Sequence, residues 1–255
     1  MKQFTITPAA GKRLIGQAMA SHEVVKEALR SGTVVIVAGT TNGYCAEEIL
    51  KSIGQEEGFS RHRFFRGIVL PPHLPRSEAG TLPDTSQFPG DVVIRRGVWE
   101  RGKTIFDVVD DLKAGDVILK GANALDVTHR KAAVLIGHPQ GGTVMAALRA
   151  HIGRRVHLFF PVGLEKRVTG DLDEIARRMN AATQTGYRYL PVKGEIFTEL
   201  EAIQILSGAQ AELIAAGGVA GAEGAVILNV YGTPSEEEKA ELVFSRVKDE
   251  APFTI

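Results

Sequence analysis

The sequence predicts an α/β protein, with a doubly wound, mostly parallel sheet over residues 1–183 and a ferredoxin-like α+β domain over 184–255. Three observations carry that expectation. Short β-branched apolar runs alternate with helical patterns between residues 30 and 183, as parallel strands alternate with crossover helices. Three loops in that span combine glycine with polar residues, at 39–43, 120–126 and 137–143. From residue 184 the rhythm changes to β-α-β-β-α-β, the order of a split βαβ unit.

The elements follow in order. Residues 6–15 are short and mixed, without a clear period. Ser21 reads as an N-cap, with apolar residues at helical spacing through Arg30. Thr33–Val37 is a continuous apolar run, the mark of a strand buried on both faces. A helix is expected over Tyr44–Ile53 and a strand over Phe64–Leu70, closed by Pro71-Pro72. Residues 71–90 form a long aperiodic loop rich in proline, serine and glycine. Strands are then expected at Val92–Arg95, Asp116–Leu119, Ala132–Ile136 and Val156–Pro161, and helices at Lys103–Leu112, Thr143–Ala150 and Asp171–Ala182. The last seventy residues read as strand Tyr187–Val192, helix Glu195–Leu206 and strands Ala211–Ala216 and Ala225–Tyr231. The capped helix Ser235–Lys248 and a terminal strand Phe253–Ile255 complete the chain.

Composition limits the function classes. The 255 residues are 44% hydrophobic and 24% charged, with zero formal net charge. Such a balance gives no global electrostatic case for nucleic acid or an anionic membrane. Arg95-Arg96 and Arg154-Arg155 are short basic pairs without interleaved aromatics. One cysteine excludes an internal disulfide framework or a cysteine-based zinc cluster. The histidines at 62, 73, 129, 138, 151 and 157 show no metal-ligand spacing, so no metal and no cofactor are expected. Neither a signal peptide nor an apolar run long enough for a membrane span is present, and a cytoplasmic protein is expected.

Candidate function sits in the loops. In open α/β sheets, ligands bind outside the carboxyl ends of the strands. Gly39, Thr40, Thr41, Asn42 and Gly43 would place amides and hydroxyls at a helix N-terminus, where an anion is favoured; Thr41 or Asn42 could instead simply cap that helix. The other expected anion- and substrate-binding residues are Lys120, Gly121 and Asn123 on the second loop and Gln140, Gly141, Gly142 and Thr143 on the third. Lys120 either supplies countercharge in the crevice or points to solvent. Asp126 is the general base available on the second loop, unless His129, Arg130 and Lys131 hold it in a surface cluster. His138 could act as acid or base near neutral pH, or be polar surface. Cys45 is either activated by the helix terminus or packed, and Glu47 and Glu48 read as helix-dipole acids.

Taken together, the loops resemble the NagB/RpiA/CoA-transferase-like superfamily, which includes ribose-5-phosphate isomerases. Gly39–Gly43 is similar to the loop that holds a substrate phosphate there, and Lys120–Asp126 looks like the isomerases' Asp-Gly-Ala-Asp-Glu-Ile-Asp motif. Gly137, Gly141 and Gly142 are similar to the glycine-rich turn that follows it. The resemblance covers roughly residues 20–165. It implies a sugar phosphate or CoA-ester class of ligand. Lys120, Asn123 and Ala124 replace acids of the motif, and an amide cannot take the proton that enediol chemistry requires. The expectation is therefore a protein that binds, and could convert, a small phosphorylated or carboxylated metabolite as an isomerase- or transferase-like enzyme. The alternative is a non-catalytic sensor or assembly protein on the same fold. A homo-oligomer is expected.

Overall fold

The computed structural model describes residues 1–66, 69–75, 77 and 88–254. The N-terminal segment that shows no period in the sequence forms β1 (Lys2–Ile6) and α1 (Pro8–Ser21). Thr7 accepts from the Ala10 amide at 3.3 Å and Pro8 stands in the first turn, a strong helix start. Nine residues of α1 are buried, including Gly11, Lys12 and Gly16, which blurs any amphipathic stripe. The next helix, α2 (Glu23–Ser31), is capped by His22 and not by Ser21, whose hydroxyl bonds Gln17.

β2 (Thr33–Ile36) is buried at every position, as its apolar run requires. Its helix, α3 (Thr40–Ser52), starts four residues earlier than Tyr44, so the predicted loop is the helix's own first turn. The described residues of the expected strand Phe64–Leu70 form no strand; they follow a 3-10 turn at Arg61–Arg63, and 67 and 68 lie outside the described residues. Of the long loop, residues 76 and 78–87 also lie outside them. β3 (Val92–Arg95) and β4 (Val98–Trp99) form a hairpin whose corner, Arg96-Gly97, has both φ angles positive. Where a helix is expected over Lys103–Leu112, only α4 (Ile105–Val108) forms.

The remaining elements are β5 (Val117–Leu119), β6 (Ala124–Asp126), β7 (Lys131–Ile136), α5 (Gly142–Arg154), β8 (His157–Pro161), α6 (Leu172–Met179) and β9 (Arg188–Pro191). They are followed by β10 (Glu195–Phe197), α7 (Glu199–Ser207), β11 (Gln210–Ala216), β12 (Val226–Tyr231) and α8 (Pro234–Val247).

The architecture is mixed α/β. A six-stranded sheet has the order β10-β8-β5-β2-β3-β4, parallel from β10 to β2 and antiparallel at β3 and β4. β7 does not join it; β6, β7 and β9 form a separate antiparallel sheet. The expected helix Glu195–Leu206 is split, because Glu195–Phe197 extends along β8 and a Thr198/Glu201 capping box sets the helix start at Glu199. β11 and β12 pair antiparallel with β1 as their third strand. The strands after residue 184 thus belong to three sheets, which departs from the single sheet of a ferredoxin-like unit. Phe253 and Thr254 are not in a strand, and Ile255 lies outside the described residues.

One apolar core runs from Phe4 and Ile6 in β1 to Val247 in α8. A smaller cluster of Ala124, Ala133, Leu172, Ala176 and Tyr189 packs α6 on the β6-β7-β9 sheet. No described helix is long and apolar enough to cross a membrane. Two buried polar side chains fix the strand ends that matter below. Asn42 Nδ2 donates to the carbonyls of Val37 (2.7 Å) and Leu119 (3.0 Å), tying the ends of β2 and β5 together. The Asp91 carboxylate accepts from the amides of Ala38 and Ile105 (both 2.8 Å) and holds Arg66 through two hydrogen bonds at 2.7 and 3.1 Å.

Candidate functional site

The carboxyl ends of β2, β5 and β8 and the N-termini of α3 and α5 open onto one cavity of about 1550 Å³. Gly39–Asn42, Lys120–Asn123, Gly137, His138 and Gln140–Thr143 all line it. The three loops predicted to meet do meet.

At α3 the N-cap is Gly39, and no side chain caps the helix. The amides of Thr40, Thr41 and Asn42 precede the first intrahelical acceptor, and only from Gly43 onward does the ladder close, onto the Gly39 carbonyl at 2.8 Å. Thr41 is 2% exposed, and its buried hydroxyl has no hydrogen-bond partner. Neither Thr41 nor Asn42 is the cap: Asn42 spends its amide nitrogen on the strands. α5 repeats the pattern with Gly141 as its N-cap and, again, no side-chain cap. Gly141 has φ +78°, and a β-carbon there would fall 2.1 Å from Met145 Cγ, so glycine is required. The other α-helices begin at a side-chain cap or a capping box. Among the described α-helices, α3 and α5 are the two without a side-chain cap, and the first turns of both line the cavity.

Cations complete this end. The backbone of Lys120 continues the β5 ladder to Phe159 (2.9 Å), which sends its side chain into the cavity, where Nζ has a long contact to the Gly121 carbonyl at 3.3 Å. Burial, reinforced by Arg66, pulls its pKa down to about 8. Lys166 donates to the Ala122 carbonyl (2.9 Å) and is also lowered by burial. Lys12 donates to the Pro8 carbonyl (3.0 Å) and pairs with Glu165 Oε1 at 2.9 Å, while Glu165 Oε2 is buried without a partner. Behind Glu165, Glu199 accepts from the Leu164 amide (2.9 Å); burial first, then repulsion by Glu165, push its carboxyl up to about 8.

Several predicted residues serve the fold instead. Asp126 ends β6, outside the cavity lining, and accepts from His129 at its amide (3.0 Å) and Nδ1 (2.8 Å); these bonds lower its pKa. Lys131 pairs with Asp173 and Arg130 with Glu201. Asn123 lines the cavity, but its Oδ1 accepts from the Leu135 amide (3.0 Å). His138 is exposed at the mouth, with Nδ1 accepting from the Gln140 amide at 3.2 Å. Gly43 is not part of the lining; a β-carbon there would sit 3.0 Å from Arg61. Cys45 is fully buried and its thiol is pushed far up by burial, which makes it a packing residue. Glu47 and Glu48 lie mid-helix and bond Arg13, so they are ion-pair partners and not first-turn acids.

No family model, curated protein or solved structure matches this chain. The chemistry must be read from the site. Among the described residues, no three His, Cys, Asp or Glu side chains cluster to hold a metal. The residues passed over in the sequence are Lys12, Arg66, Glu165 and Lys166. Gly163-Leu164-Glu165-Lys166 after the apolar strand is the same strand–glycine–polar pattern as the other loops, and was the available signal. Lys12 and Arg66 sit in segments with no such pattern. The arrangement offers uncapped amides and ammonium groups to an anion, and one carboxylate oxygen able to accept a proton.

Proposed function

We propose that the protein binds a small phosphorylated or carboxylated metabolite in this cavity, with the anionic group on the first turn of α3. The observation that carries the reading is Thr41, a residue of the cavity lining whose buried hydroxyl has no partner, on an uncapped helix turn in the cavity that Lys120 also lines. A buried polar group of this kind is satisfied when a ligand supplies the missing bond. The resemblance to the NagB/RpiA/CoA-transferase-like superfamily, and the doubly wound core it implies, belong to the same proposal. In a converting enzyme Glu165 takes the acid/base role that the sequence offered to Asp126, with His138 at the mouth as a second donor. Asn123, an amide engaged with β7, favours the second reading of a ligand sensor without turnover.

A thermal-shift screen against sugar phosphates, acyl phosphates, CoA thioesters, nucleotides and small carboxylates tests the proposal. A ligand at ~100-fold its dissociation constant adds about 2.7 kcal/mol of stability. The shift is expected in the wild type and lost in Thr41→Val and Lys120→Met. An unshifted wild type, or a shift that survives both substitutions, contradicts it. Glu165→Gln separates the two readings, since an enzyme loses turnover of the ligand so found while still binding it.

A further inference from the structure

The cavity has two chemically different ends. At one, α3 and α5 present open amides beside Lys120 and Lys166. Along the other runs a largely apolar wall, whose charged side chain, Arg149 of α5, is paired with Asp110 at 2.8 Å. α5 lines the cavity along nearly its whole length, from Gly142 to Gly153. Met145, Leu148 and Ile152 recur on it at i, i+3 and i+7, which places them on one face. Phe106 of α4, Val69 and Leu70 extend that surface. Phe106, Met145, Ile152 and Val69 are 57%, 47%, 71% and 70% exposed, more apolar side chain than a solvent-facing wall needs.

Size points the same way. Ligand cavities commonly enclose roughly 300–1,000 Å³, and this one holds about 1550 Å³. From the anion end to Ile152, α5 runs roughly 15 Å at its helical rise. A sugar phosphate would set most of its hydroxyls against carbon over that distance, with Arg149 already paired to Asp110.

We propose that the ligand is an anionic amphiphile, a phosphate or carboxylate head on the α3 turn carrying an extended apolar body along the α5 wall. The proposal rests on the anion site described above and adds the class of molecule it holds. The charged end fixes orientation, and the wall supplies affinity and selects length.

Calorimetric titration of the full chain with inorganic phosphate and with methyl, butyl, octyl and dodecyl phosphate, below their micelle concentrations, tests this. Affinity is expected to rise with chain length, by up to about fourfold per buried methylene. Ile152→Asn, an uncharged change at an exposed position, should flatten that rise without altering the charge that inorganic phosphate meets. Thr41→Val should weaken every member of the series. Equal affinity along the series, with inorganic phosphate still bound, overturns the amphiphile and leaves the anion site standing. No binding of any member, inorganic phosphate included, overturns both. A chain-length rise that Thr41→Val does not reduce marks adsorption elsewhere and overturns the inference. So does a dimer in sedimentation that Ile152→Asn dissolves while the series is flat, since the wall is then an interface between copies.

Discussion

At the residue scale, Thr41 carries a conflict between stability and binding. A buried hydroxyl left unbonded costs about 1–3 kcal/mol, and Thr41 is 2% exposed with no partner. Thr41→Val removes the hydroxyl at nearly constant volume. Urea unfolding should therefore show unchanged or higher stability, by up to about 2 kcal/mol, while anion affinity falls at least about tenfold, the loss of one charge-assisted bond. Lys120 and Glu199 set the pH behaviour. Lys120 is lowered from 10.5 to about 8, so its charge, and with it sulfate affinity, is full below pH 8 and falls as pH rises through that value. Lys120→Met should abolish the dependence. Between pH 8 and 10.5 the unfolded chain keeps this proton and the folded chain does not, so Lys120 makes stability rise with pH there. Glu199 acts in the opposite sense. Its carboxyl is raised from 4.5 to about 8, so its contribution is full below pH 4.5 and is lost as pH climbs to 8. Unfolding midpoints of Glu199→Gln should lack that decline.

At the element scale, the strand–helix unit β2–α3 was legible because a fully apolar run can only be buried. The helix start was not, since Thr40–Gly43 has the composition of a loop and its N-cap is a glycine without a side-chain signal. Thr7-Pro8 and Thr198-x-x-Glu201 were legible start signals that periodicity alone passed over. Which sheet a strand joins was not legible: β7 and β10 have the right character, but periodicity does not name a partner. Gly39 tests the reading of α3. Its φ of 178° is ordinary extended backbone, and a β-carbon would meet nothing within 4 Å. Gly39→Asp should supply the absent cap, raise stability by a few tenths of a kcal/mol, and exclude anions by occupying their amides. Chemical denaturation and phosphate titration on one sample check both halves.

At the scale of the whole molecule, a half-buried ion network ties the segment at Glu250 to α1 and α3. Arg13 in α1 bonds Glu47, Glu48 and Glu250, and Arg61 bonds Glu47 and Glu250. The two guanidinium groups each lie 4.7 Å from the centre of the Tyr44 ring. Beyond Glu250, Phe253 packs on His62 and Phe65 and lines the cavity. Removing one member of a half-buried network leaves the others partly hydrated, so Arg13→Ala should cost about 1–3 kcal/mol in urea unfolding. The convergence of three loops could be foreseen from their shared place after apolar strands. Lys12 and Arg66 could not, because they reach the cavity from α1 and from the chain after the 3-10 turn, neighbours in space only.

The most direct test of the anion site is a titration of inorganic phosphate into 15N-labelled protein, read residue by residue at the backbone amides. The largest shifts should fall at Thr40, Thr41 and Asn42, with smaller ones at Gly142 and Thr143, and all should vanish in Thr41→Val. Shifts confined to other parts of the chain, or none at saturating phosphate, would contradict the anion site.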